Sequence, residues 1–440
     1  MALCAKSPAV NDNSDPGTGK TRAHIDAFAK HRAKRGGKAL VIAPKTLVES
    51  AWLEDFTKYQ PDLAVGVATA ENGRAGFDRN DFDVVITNTD AVKWIEDNNP
   101  KQLLKGFDTF IVDEFAAYKH RTSQRSKAMA KLARFFEFRR GLGATPNPNS
   151  VLELWHQIYL LDDGKRLGIN YFKFRAAVAE AVQIGPRSEH VEWRDKPGIE
   201  GVVAHMIKDI TIRHAFERCL DIPPNFTVHV PYHMPNKLTK AYKRMAEECV
   251  LELGKREITA VHAAALRTKL LQMASGAVYD GTGGYVIIDR ARYELIAELV
   301  EARKHSVTFF NWKHQREELA REFDKRGISY AVIDGETPSR HRAGIVTAYQ
   351  EGAYQTLLMH PETGAHGLTL TRGTATIMTS PVYRADWAKQ MLHRVYRGGQ
   401  TQKTETILVE AVGTVERMVY DRRADKADRM NIFLALTEMT

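Results

Sequence analysis

Cysteine is scarce: Cys4, Cys219 and Cys249 are the only three in 440 residues and none forms a CxxC pair, which argues against a zinc site or a disulfide framework. Reduced thiols are the expectation. Long hydrophobic runs are lacking too. No stretch approaches the ~18 apolar residues of a membrane span, and the first residues lack the basic-then-apolar order of a secretory leader, so a soluble, cytoplasmic protein is expected. Acidic residues are the minority, 54 against 63 Lys and Arg, which leaves a net charge of +9. That excess favours a polyanionic partner. Single clusters such as His31-Arg32-Ala33-Lys34-Arg35 nonetheless read better as solvated helix faces.

What is present starts with Ser14-Asp15-Pro16-Gly17-Thr18-Gly19-Lys20-Thr21. Gly-x-Gly-Lys-Thr before a helical run is a phosphate-binding loop, whose glycines let backbone N–H groups curl around an anion. Lys20 would reach the β- and γ-phosphates of ATP, and Thr21 would offer its hydroxyl to Mg²⁺. Ile25, Phe28 and Ala29 recur at i, i+3 and i+4, so a helix aims its positive N-terminus at the phosphates. Ser14 stands where many such loops carry Gly. The preceding Met1–Asn13 is thin: only Ala9-Val10 is apolar where a buried strand is expected, so the chain reads as truncated or unusually short there.

Lys38–Pro44, Phe82–Asn88 and Phe107–Glu114 read as strands alternating with helices, which implies a parallel sheet with its ligand at the carboxyl ends. The third ends in Asp113-Glu114. One acid suits a Mg²⁺ and the other a water, the two needs of ATP hydrolysis beyond the loop. Arg139–Asn149 reads as another strand end. Leu152 to Asp221 is expected to be a mostly helical excursion. Thr227–His233 opens a second domain with Lys237–Ser275 helical and a small hairpin flanked by Tyr279 and Tyr285. Strands at Val307–Asn311, Tyr330–Gly335, Gln355–Met359 and Thr374–Thr379 follow, without a second phosphate loop. Gln390–Gln400 carries Arg394 and Arg397 at i and i+3, one helical face, suited to charge developing on a transferring phosphoryl group.

In this order the stretches resemble superfamily 2 helicases and translocases of the Swi/Snf-like branch. Pro16–Thr21 is similar to motif I, Ala43-Pro44-Lys45-Thr46-Leu47 to Ia, Thr87-Asn88 to Ib, Asp113–Ala116 to II and Gly143–Pro146 to III. Thr308–Asn311 is similar to IV, Gly364–Thr371 to V and Gln390–Gln400 to VI. The resemblance implies an α/β fold of two RecA-like parallel-sheet lobes with helical insertions: residues 1–222, with a protrusion at about 151–222, and 223–440, with an insertion at about 236–290. It implies ATP and Mg²⁺ as cofactors, with nucleotide contacts at Gly17, Thr18, Gly19, Lys20, Thr21, Arg22, Asp113 and Gln390, and metal contacts at Thr21 and Asp113. Lys20, Asp113, Glu114, Arg394 and Arg397 would be catalytic. Nucleic-acid contacts would come from Pro44, Lys45, Thr46, Thr87, Asn88, Asn311, Trp312, Gly367, Thr369 and Thr371.

The function so implied is that of a monomeric, ATP-dependent DNA translocase or helicase, RNA being a further possible track, in a bacterium or a phage-infected host. Two alternatives stand beside it: a nucleotide-switched DNA-binding adaptor with little hydrolysis, and a motor that displaces DNA-bound protein without unwinding. Three departures from the family pattern are visible. The upstream adenine-reading Gln segment is missing, Phe115-Ala116 follow the acid pair, and His393 stands where Gly is common.

Overall fold

The computed structural model describes every residue except 1–2, 5–6, 78–80, 147–148, 185–189, 249, 254–255, 260–262, 281–282, 365–367, 383 and 439–440. The chain divides into two compact units, Met1–Asp221 with Lys426–Thr440, and Ile222–Asp425.

In the first unit seven strands, β1 (Ala9–Asp12), β2 (Lys38–Ala43), β3 (Val65–Ala68), β4 (Val84–Asn88), β5 (Phe107–Val112), β6 (Phe138–Leu142) and β7 (Thr211–Ile212), lie in the spatial order β3-β4-β2-β5-β6-β1-β7. All pairs are parallel. Such a sheet must be covered on both faces, and its strands feed two cores in alternation. Ala39, Val41, Ala43 and Ile111 pack with Ile25, Phe28 and Trp52 on one side. Leu40, Ile42, Phe110 and Val112 pack with Leu154 and Ile158 on the other. The α/β class and the parallel sheet therefore stand as read from the sequence.

Strand β1 is fully buried between β6 and β7, contrary to the thin N-terminal reading. Its polar residues conceal it in the sequence: Asn11 and Asp12 are buried, and Asp12 is neutralised from the next helix, α1 (Lys20–Arg35), by His24. The excursion after residue 151 holds α2 (Leu152–Asp162), α3 (Tyr171–Val178) and a helix at Ile199–Ile207, but also an unforeseen antiparallel hairpin, Ala179–Gln183 with Val191–Asp195. That hairpin is solvent-facing on much of both strands, so no apolar alternation marks it.

The second unit holds β8 (Asn225–Tyr232), β9 (Ser306–Phe309), β10 (Tyr330–Ile333), β11 (Thr356–Met359), β12 (Ala375–Met378) and β13 (Thr404–Ala411), in the order β8-β13-β12-β9-β11-β10 and all parallel. Strand β13 was not foreseen. The run expected to be helical from Lys237 to Ser275 is interrupted by a hairpin, Val250–Leu253 with Arg256–Thr259, and the Tyr279/Tyr285 hairpin is present. Residues 426–440, expected in the second lobe, belong to the first unit, where Met430, Phe433 and Leu434 enter its core. No helix among the described residues is long and apolar enough to cross a membrane.

Candidate functional site

The loop between β1 and α1 is built for an anion. Gly17 and Gly19 sit at φ 81° and 86°, a region that costs other residues energy. Gly19 ends the loop as a left-handed N-cap of α1 with no side-chain cap bond. The N–H groups of Gly17, Gly19, Lys20 and Thr21 meet no protein acceptor among the described residues, so four donors stand unengaged along the loop. Lys20 Nζ curls over it, 2.6 Å from Ser14 O and 3.0 Å from Asp15 O. Thr18 Oγ1 donates to Asp15 O at 2.8 Å. Arg22 points away: its exposed guanidinium lies 4.5 Å from the Tyr59 ring centre.

Asp15 is the one carboxylate within the loop, and it is already neutralised. Arg213 holds it through Nη1 at 2.7 Å and Nη2 at 2.8 Å, both side chains being buried, and Phe216 N–H adds a bond at 3.0 Å. Arg213 thus braces the phosphate loop, a role its place in the sequence did not reveal. Behind the loop, His24 Nε2 lies 3.0 Å from Asp12 Oδ2 and His24 Nδ1 lies 3.9 Å from Cys4 Sγ. Burial pulls the His24 pKa down, but the bonds to Asp12 and Cys4 outweigh it and hold the group at about 9. Burial likewise raises Asp12, and the His24 bond overrides it to leave about 2. An ion pair therefore clips β1 to α1 across the base of the loop.

The acid pair lies on the same sheet edge. Val112 is in register with Gly141, and Asp12 with Leu142, so β5 and β1 end level with one strand between them, about 10 Å apart by sheet spacing. Residues after β6 bridge the gap. Gly143 N–H donates to Asp12 O at 3.0 Å, and a Cβ on Gly143 would lie 3.5 Å from Phe115 N. Asp113 is oriented by two donors, Trp52 Nε1 to Oδ2 at 2.9 Å and Glu114 N–H to Oδ1 at 3.0 Å. Nothing in the sequence singles out Trp52 for this role. Glu114 sits at φ 51°, a conformation found in strained turns at functional sites.

These residues fit ATP and Mg²⁺. Unengaged N–H groups and one ammonium suit phosphates, while the Thr21 hydroxyl and the Asp113 carboxylate are hard oxygen donors.

In the second unit, helix α4 (Ala385–Val395) carries buried Gln390 and Arg394. Arg397 is past its end, so the two arginines do not share a helical face as the i, i+3 spacing suggested. The helix departs from helical geometry at His393 and is capped at Tyr396, and the guanidiniums converge by another route. Arg394 Nη1 and Arg397 Nη1 both donate to Leu368 O, at 3.3 and 2.9 Å. Gln400 staples the turn, its Nε2 donating to Thr371 O and Gly373 O at 3.0 Å each.

The expected nucleic-acid residues divide by availability. Pro44 and Thr46 are half-buried and Lys45 is exposed, paired with Glu71 at 2.6 Å. Thr369 is exposed, Thr371 and Trp312 are half-buried, and Gly367 lies outside the described residues. The Thr87 hydroxyl is wholly buried and donates to Ala68 O at 2.5 Å, and Asn88 is buried beside it. The Asn311 amide donates to Ser380 Oγ at 2.7 Å and to the Ser380 and Pro381 carbonyls at 3.2 Å. Thr87 and Asn311, given as nucleic-acid contacts by the family resemblance, therefore present no side-chain donor to a ligand: these two satisfy backbone carbonyls instead.

Comparison with known proteins matches residues 13–276 to the SNF2-related domain and residues 291–399 to the helicase conserved C-terminal domain. "Putative protein p41" of Acyrthosiphon pisum secondary endosymbiont phage 1 is 25% identical, over 95% of this chain and 92% of that protein. "Chromodomain-helicase-DNA-binding protein 1-like" of Mus musculus is 22% identical over 90% of this chain but 44% of its own length. The chain likewise spans 40% of a human SWI/SNF-related regulator of chromatin, subfamily A member 1, at 22% identity. Among solved structures, the Sulfolobus solfataricus SWI2/SNF2 ATPase core in complex with dsDNA is 19% identical over 98% of this chain and 91% of that one, with a TM-score of 0.43. With the first of these matches extending across more than half its length, the chain belongs to the SNF2-related family.

Proposed function

We propose that this protein is an ATP-dependent motor that couples ATP hydrolysis to movement along DNA. The observation that carries the reading is the open nest of N–H donors under Lys20, level with the oriented Asp113-Glu114 pair on the same sheet edge. In a member of the SNF2-related family that combination supports turnover rather than a vestigial switch. A net charge of +9 and the DNA-binding named for the mouse relative favour DNA as the track.

Lys20 exchanges its two carbonyl partners for the β- and γ-phosphates, an exchange of like hydrogen bonds that adds charge pairing. Thr21 and Asp113 would hold Mg²⁺, which would supply positive charge to neutralise the phosphates. Glu114 orients the attacking water. Arg394 and Arg397 are the guanidiniums available to offset charge that develops on a transferring phosphoryl group. Lys45, Thr46, Trp312, Thr369 and Thr371 are the residues left to grip a backbone without reading bases.

The test is ATP hydrolysis by the purified chain with no nucleic acid, single-stranded DNA, duplex DNA or RNA, beside Glu114→Gln. Stimulation by DNA that Glu114→Gln abolishes is the expected result. Nucleic-acid binding without Glu114-dependent turnover refutes the motor.

A further inference from the structure

Past the acid pair the chain makes a tight turn, Phe115–Tyr118, and enters Lys119-His120-Arg121. These residues, with Glu153, Tyr171 and Arg175, line a cavity of about 300 Å³ in the first unit. Its positive charge is in excess. Glu153 is the only carboxylate in the lining, and Lys119 Nζ takes it at 2.9 Å. Arg121 and Arg175 have no hydrogen bond or ion pair among the described residues, and Arg175 Nε is buried without a partner.

What holds the two guanidiniums is aromatic. Arg121 lies 4.6 Å from the Tyr171 ring centre and 4.9 Å from that of Phe172, while Arg175 lies 5.2 Å from Phe172 and 3.9 Å from Trp193. Phe172 is 56% exposed, so part of its ring stays open to solvent beside the two guanidiniums. Stacking fixes guanidinium planes while leaving their N–H edges to donate. Uncompensated cations interleaved with partly exposed aromatic rings are what binds single-stranded nucleic acid, bases on rings and phosphates on the charges. A duplex hides its base faces, so it cannot use Phe172.

We infer that this cavity, together with the exposed Phe172 beside it, is a second nucleic-acid site, one that takes an unpaired stretch with its phosphate on Arg121 and Arg175 and a base against Phe172. The inference rests on the DNA reading above. The site also adjoins the catalytic turn: Tyr118 O, four residues from Glu114, lies 2.6 Å from His156 Nδ1, and His156 lines the same cavity.

The test uses the full chain and an oligonucleotide carrying 4-thiothymidine, crosslinked by near-ultraviolet light and mapped by mass spectrometry, with anisotropy titrations over a range of salt. The expected crosslink falls on Tyr171 or Phe172 and is competed by unlabelled single strand, not by ATP or tripolyphosphate. Arg121→Ala with Arg175→Ala should weaken single-strand binding about tenfold and lower the salt slope by about two, one per guanidinium. Phe172→Ala, at an exposed position where folding is not at stake, should weaken it several-fold at unchanged slope. Competition by tripolyphosphate overturns the inference in favour of a free-phosphoanion site. Unchanged affinity and slope in all variants, with no crosslink between residues 119 and 193, overturns it while leaving the DNA reading standing. A wild-type chain that binds no nucleic acid at all removes both.

Discussion

Replacing His24 by Leu should make the stability of the first unit insensitive to alkaline pH. His24 and Asp12 are both buried, 3.0 Å apart. The His24 pKa is held at about 9 against a reference of 6.5, so the folded state binds a proton that the unfolded state has released. Its stabilisation is complete below pH ~6.5 and is lost as the pH rises through about 9. The Asp12 contribution runs the other way, complete above pH ~4 and lost as the pH falls to about 2. The pair is thus at full strength between roughly pH 4 and 6.5. A difference of some 2.5 units corresponds to ~3 kcal/mol, counted once because both shifts describe one interaction. His24→Leu forfeits it and leaves Asp12 with the Ser14 N–H at 3.0 Å, a buried charge short of a partner, at a cost of roughly 3–5 kcal/mol. The groups facing the imidazole include Cys4, whose thiol is pushed up by burial but brought below its usual range by His24 and Arg140. Thermal unfolding of wild type and His24→Leu from pH 5 to 9.5 checks this, with imidazole ¹³C shifts reporting the His24 midpoint directly. The gap in melting temperature should narrow from pH 6.5 upward. A gap that stays constant to pH 9.5, or an imidazole midpoint at or below 6.5, would refute the pairing.

Three further outcomes follow from particular contacts. Gly141→Ala places a Cβ 2.3 Å from the Phe115 ring; overpacking of this kind costs about 1–3 kcal/mol, and displacement of the turn carrying Glu114 should lower ATP turnover more than ATP binding. Trp52→Phe removes the donor to Asp113 Oδ2 and keeps most of the ring; the Mg²⁺ concentration for half-maximal ATP hydrolysis should rise several-fold, and an unchanged Mg²⁺ dependence would show that the indole does not orient Asp113. Gln400→Ala strips donors from the Thr371 and Gly373 carbonyls; a buried carbonyl left unpaired costs about 1–3 kcal/mol, which should appear as a lowered melting temperature and, through the Arg397 turn, a lowered kcat.

The residues themselves determined the fold class, the place of the phosphate loop and the acid pair at a strand end. Those features are local: Gly17 and Gly19 prescribe backbone geometry within a few residues, and short apolar runs rich in aromatic and β-branched residues, such as Phe110-Ile111-Val112, read as strands buried on both faces. Features that depend on a distant partner were not legible. Strand β1 looked too polar to be buried until His24 met Asp12, and nothing near Arg213 in the sequence points to Asp15, which it reaches because Ile212 pairs with β1. The hydroxyl of Thr87 and the amide of Asn311 were expected at nucleic acid from the family resemblance alone; a sequence shows which groups can donate, never which carbonyl has already taken them. Arg394 and Arg397 do converge, but on the Leu368 carbonyl and past the end of a helix. Spacing decides what can be near along one element; the pairing of strands 200 residues apart, as in Asn11 with Thr211, decides what is near in space, and only the tertiary structure carries that.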